Sequence, residues 1–249
     1  MGHHGRGVLR HGVELPNKGD GYVIPPKWRV RKRNYGTKEL VQLIVRAARR
    51  VNWRYPKSVL GIADLSTKGG GPLLPEHRSH HNGRDVDLIF YTTNLKGRPL
   101  IPKEMIRFDS SGKSLAPDSP EQKLDVPRTW ELVKTLITDP FVDVQWIFVD
   151  HPIAQMLLHH AQKTNEPRQI VERATTLMLQ PSDASSHSDH MHVRIYCSAS
   201  DRSLGCIDRG PPPSFERTSK HPENWPAQPQ LPDNFWRSVG MFPRCLSFL

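Results

Sequence analysis

Two short stretches, HRSHHNGRDVD (His77 to Asp87) and HSDHMHVR (His187 to Arg194), hold six of the 13 histidines of this chain beside three aspartates. Imidazoles and carboxylates are ligands that hold a catalytic zinc ion while one coordination position stays open for water. A buried set of that composition is costly to fold unless a metal or a reaction uses it. The spacing therefore points to metal-assisted hydrolysis, in a site whose two halves meet in space.

His80 and Asp87 have six residues between them and can reach one ion if Gly83, one of those six, lets the chain fold back. Asp87 shares a strand face with Asp85, and His190 shares one with His192, because side chains alternate along a strand. One imidazole of the His190/His192 pair can bind metal while the other points into the same cleft. Taken singly, each half is a weak signal: HxH within a strand is common, and a histidine beside a polar loop is usually solvated. The two halves together, each at the start of a strand, make the site. No HExxH helix is present, which excludes the thermolysin-like zincins. Asp85 and Asp189 are candidate orienters of the ligating imidazoles. Ordinary strand-end carboxylates facing solvent are the equal alternative for both.

The elements that must position these residues are short and mixed. Thr37 can cap a helix with Leu40, Leu43, Ile44, Ala47, Ala48 and Val51 on one face. Val59 to Ser66, Asp85 to Thr92, Val142 to Asp150 and Met191 to Cys197 read as strands. Further helical patterns begin near Pro127, burying Trp130, Val133, Leu136 and Ile137, and follow residue 150. Without strict βαβ alternation, this order predicts an α+β fold: a central, mainly antiparallel sheet with flanking helices. Trp53, Trp130 and Trp146 all fall in apolar patterns and are expected in the core. Residues 1–35 show no periodicity and read as an irregular N-terminal arm, residues 36–210 as the catalytic domain, and residues 211–249 as a proline-rich extension.

At 249 residues, with a mean hydropathy of -0.58, the chain has room for one sizeable core and shows no apolar run long enough to span a bilayer. Its formal charge of +10 favours an anionic partner. No nucleic-acid-binding motif accompanies the basic residues, so nucleic acid is not read as that partner. Cys197 and Cys206 bracket a short polar loop and can close it in an oxidising compartment; free thiols fit the count equally, and Cys245 stands apart. The N-terminus lacks an apolar h-region, so no secretory signal is read there.

GGGPLLPEHRSHHNGRDVDLIF, joined with VQWIFVD and HSDHMHVR, closely resembles the penicillin-insensitive murein endopeptidases. These belong with lysostaphin-type enzymes, D-Ala-D-Ala metallopeptidases and the hedgehog fold. The likeness runs from the first helix to Cys206, with Glu76 and His81 standing where the family usually has glycine and glutamine. It implies a hedgehog/D-Ala-D-Ala-peptidase-like fold and one zinc ion per chain, held by His80, Asp87 and His192. His190 would be the catalytic partner, His187 a further active-site imidazole, and His77 a subfamily histidine of unassigned role. The implied activity is hydrolysis of D-alanyl–meso-diaminopimelyl cross-links of peptidoglycan, in the periplasm or outside the cell. A D,D-carboxypeptidase or dipeptidase on the same scaffold, and a non-catalytic zinc module that binds cell-wall polymer, are the competing readings.

Overall fold

The helix expected after Thr37 spans Lys38–Arg54, and the Thr37 hydroxyl accepts a hydrogen bond from the Leu40 amide at 3.4 Å. Its apolar positions from Leu40 to Val51 are buried, each large side chain contributing about 1.5–3 kcal/mol on leaving water. Residues 1–116 and 121–210 are described here by a computed structural model. The proline-rich extension at 211–249, with Cys245, lies outside the described residues.

Seven strands form the main sheet: β1 (Lys18–Gly19), β2 (Tyr22–Val23), β3 (Leu60–Ile62), β4 (Asp85–Ile89), β5 (Val144–Phe148), β6 (Met178–Leu179) and β7 (His190–Ile195). Their order across the sheet is β6-β5-β7-β4-β3-β2-β1. Six helices accompany them among the described residues: α1 (Pro26–Arg29), α2 (Lys38–Arg54), α3 (Val126–Ile137), α4 (His151–Lys163), α5 (Arg168–Leu177) and α6 (Ala199–Ser203). The α+β class thus holds, but the sheet is mixed. The β2–β3 and β5–β6 pairs are parallel, and the others are antiparallel. Parallel neighbours need a crossover connection; α2 supplies it for β2–β3, and α4 with α5 supplies it for β5–β6.

The segment 1–35 is irregular, but it is not an arm. It contributes β1 and β2 to the sheet and buries Leu9, Leu15, Tyr22, Ile24 and Trp28. Two-residue strands are too short to show a period, which is why the sequence pattern concealed them.

β7 lies between β5 and β4, and its register decides which residues meet. His192 is opposite Asp87 on one side and Phe148 on the other; Arg194 is opposite Asp85 and Trp146. These side chains share one face by strand alternation. Val86, Leu88, Met191, Val193 and Ile147 occupy the alternate positions and are buried. Helices α2 to α5 pack on one another and reach the sheet through β2, β5 and β6. Cys197 and Cys206 form a disulfide that closes the loop carrying α6.

Of the three tryptophans expected in the core, Trp130 alone is fully enclosed. Trp53 lies in the last turn of α2, 59% exposed, with the Arg50 guanidinium 4.7 Å from its ring. Trp146 is half-buried, on the face of the sheet that carries the histidines.

Candidate metal centre

β4 delivers Asp85 and Asp87 to the site, and the turn before it delivers His77 and His80. Gly83 adopts φ +72°, and a β-carbon there would meet the Leu9 side chain at 2.7 Å, so the reversal needs glycine. His80 itself has φ +69°, a conformation an L-residue rarely adopts. Its backbone amide donates to Asp85 Oδ2 at 3.3 Å, which helps hold the turn against β4.

Three imidazoles converge on one carboxylate oxygen. His80 Nδ1 donates to the Leu65 carbonyl at 2.8 Å, so its Nε2 carries the lone pair; that atom is buried, lacks a hydrogen-bond partner among the described residues and lies 3.4 Å from Asp87 Oδ1. His190 Nδ1 donates to Asp189 Oδ1 at 2.6 Å, and its Nε2 lies 3.6 Å from the same Asp87 oxygen. His192 Nε2 donates to Asp85 Oδ1 at 2.8 Å, and its Nδ1 stands 3.0 Å from Asp87 Oδ1. Each ring thus commits one nitrogen to an oxygen behind it and turns the other toward Asp87. Outer acceptors of this kind fix the tautomer of a metal-binding histidine.

His77 approaches from the other oxygen. Its Nε2 is 2.9 Å from Asp64 Oδ2 and 3.8 Å from Asp87 Oδ2. Ligand atoms of His77, His80 and Asp87 all lie within 4.8 Å of one another, so this trio could hold a metal ion. Of the expected set, His80 and Asp87 belong to it, and His192 adjoins it with its ring 4.8 Å from that of His80. His81, the neighbour of His80, is outside the trio.

The electrostatics agree with a cation-binding cluster. Burial alone would raise the Asp87 carboxyl, yet His80, His190 and His192 hold it well below the usual carboxylate range. Asp85 is held down against its burial in the same way, by Arg194, His192 and His80. Burial works against charging His190 and His192, but Asp87 and Asp189 raise the first, and Asp85 and Asp87 raise the second. A proton and a metal ion compete for these nitrogens. His187 is different: burial, then His190 and His192, lower it to about 4, so it is neutral at pH 7. Its Nδ1 donates to Gln180 Oε1 at 3.1 Å, and its ring centroid lies 5.2 Å from that of His190.

Asp85 is fully buried and accepts hydrogen bonds from His80, His192 and Arg194. The solvent-facing alternative therefore fails for it. Asp64 is the residue that sequence reasoning missed. It is buried at the end of an apolar run, accepts from Arg31 and Arg33 as well as from His77, and donates nothing to a motif. A charged residue inside a predicted strand was the available signal.

The sequence profile of the penicillin-insensitive murein endopeptidases matches residues 1–238. The chain belongs to this family. It is a peptidase by that membership. A penicillin-insensitive murein endopeptidase of Klebsiella pneumoniae is 29% identical over 229 residues, covering 90% of this chain and 75% of the relative. One of Escherichia coli O1:K1 is 29% identical over 197 residues, 78% of this chain and 65% of the relative. Among the described residues, no helix is long and apolar enough to cross a membrane.

Proposed function

We propose that the chain is a zinc-dependent murein endopeptidase that hydrolyses D-alanyl–meso-diaminopimelyl cross-links of peptidoglycan. One zinc ion per chain is held by His80, Asp87 and His192, with His77 at the rim of the same centre. The supporting observation is the convergence of three imidazole nitrogens on Asp87 Oδ1, each ring tied to an oxygen behind it. Zinc, when bound, supplies a Lewis acid that acidifies water and polarises the scissile carbonyl.

The chain's own residues do the proton work. His190 takes a proton at Nε2 and returns it to the leaving amine, while Asp189 behind Nδ1 stabilises the imidazolium that forms. His187 keeps a lone pair on Nε2 at neutral pH and is a second acceptor beside it. Phe148 stacks on His192 at 5.2 Å and restrains the ligand ring. The hedgehog/D-Ala-D-Ala-peptidase fold belongs to the same reading, supported by the antiparallel β5-β7-β4 trio that carries the site. So does a periplasmic or extracellular place of action, because peptidoglycan lies outside the cytoplasmic membrane and the Cys197–Cys206 bridge suits an oxidising compartment.

The test is digestion of purified cross-linked muropeptide dimers, read by mass spectrometry beside metal analysis. Conversion of dimer to monomer, stopped by EDTA and untouched by penicillin, is the expected result. Release of free D-alanine without monomer formation would assign a carboxypeptidase instead. Binding without any cleavage would assign a wall-binding module.

A further inference from the structure

Residues opposite one another across β4, β7 and β5 form two rungs on the histidine face. Asp87, His192 and Phe148 make the first, and Asp85, Arg194 and Trp146 the second. The first rung carries the metal centre. The second holds a guanidinium that the hydrolytic chemistry above does not use.

Arg194 is fixed on two sides. Its Nε donates to Asp85 Oδ1 at 2.6 Å, and its Cζ lies 5.5 Å from the Phe148 ring centroid. Nη1 and Nη2 have no hydrogen-bond partner among the described residues, on a side chain that keeps 9% of its surface exposed. Asp85 has little left to offer them, since its oxygens already serve His192 and the His80 amide. Trp146, half-buried, lies nearly parallel to Phe148 at 6.3 Å and prolongs the aromatic floor. A guanidinium held through Nε and resting on a ring presents its terminal edge, two parallel N–H bonds, in the geometry that grips a carboxylate bidentately.

The geometry points to Arg194 as a specificity-determining residue that takes a carboxylate borne by the residue on the amine side of the scissile amide, over the floor made by Phe148 and Trp146. This rests on the endopeptidase reading. In that cross-link the diaminopimelyl carbon whose amine is acylated also carries a carboxylate, one bond from the group that leaves. The neighbouring rungs set the two groups side by side, the metal centre at His192 and the guanidinium two residues along the same strand.

The test compares two substrates on the metal-loaded full chain: muropeptide dimers with a free carboxylate at that carbon, and dimers with a carboxamide there. The wild type is expected to favour the carboxylate by about tenfold to a hundredfold in kcat/KM, the range of a charge-assisted hydrogen bond. Arg194→Gln should lose that preference by falling on the carboxylate dimer while retaining stoichiometric metal, and Arg194→Lys should recover part of it. No preference in the wild type, or an equal fall of Arg194→Gln on both dimers, would overturn the assignment and leave Arg194 a support for Asp85. If Arg194→Gln fails to fold, the wild-type ratio and the Lys variant decide. If the wild type cuts neither dimer, the endopeptidase reading falls by itself. Calorimetry of the uncross-linked stem peptide, free acid against amide, then judges the subsite: tighter binding of the acid supports it and equal binding refutes it.

Discussion

His80 and His192 do their work through a division of labour between two ring nitrogens, and single substitutions expose it. His80→Ala should abolish stoichiometric zinc, because it removes a lone pair that points at Asp87 from a buried position. His77→Ala should weaken zinc by about tenfold to a hundredfold, the range for a partner outside the primary ligands, when measured by chelator competition. Loss of all zinc in His77→Ala with retention in His192→Ala would exchange their roles. His190→Ala should keep metal and lower kcat by about a hundredfold to ten-thousandfold, since it removes a proton carrier and leaves His80, Asp87 and His192 in place. At this scale the sequence was highly legible: residue type and spacing singled out the imidazoles and Asp87 that meet. What it hid was rank. HxH alternation says that His190 and His192 share a face, but only the register of β7 against β4 shows that His192 is the one directly opposite Asp87.

The elements owe their precision to residues that touch no substrate. Asp85 links the turn bearing His80, the ring of His192 and the guanidinium of Arg194. Asp85→Asn should preserve shape but weaken acceptance from all three, costing several kilocalories per mole of stability, on the order of 3 kcal/mol for breaking a buried charged network. Thermal melting of the metal-loaded variant measures it. The long helices and the four site-proximal strands were readable because their apolar periods span enough residues to be seen. The N-terminal strands were not, since two residues carry no period, and the parallel edges of the sheet depend on crossovers that no local pattern announces. Trp53 misled for a related reason: it follows the apolar series that ends at Val51, yet it stands between Asn52 and Arg54 and falls outside the buried set from Leu40 to Val51.

The whole molecule should show its metal centre through pH. His190 and His192 are raised above the ordinary histidine value near 6.5 by the surrounding carboxylates. Stability from their protonated forms is present below that value and is lost as pH rises through the raised ones. Zinc must displace the proton from its ligand His192, so its apparent affinity should climb with pH. The difference in Tm between zinc-loaded and chelated protein should therefore widen from pH 6 to pH 8; a constant difference would show that His192 gives up no proton to the metal. A second consequence concerns Arg84, which precedes Asp85 and is buried. It donates to the Tyr196 carbonyl and the Cys206 sulfur and pairs with Asp201 in the loop closed by Cys197 and Cys206. Gly2 bonds to the same loop through Gly205 and Ile207. The hydrolytic face is thus braced from behind by a covalent clasp that also secures the beginning of the chain. Opening that clasp with a thiol should release about 2–3 kcal/mol of restraint and slacken the strand start that carries Asp85, so a protein kept in a reducing milieu should lose its zinc sooner under chelator than its oxidised twin.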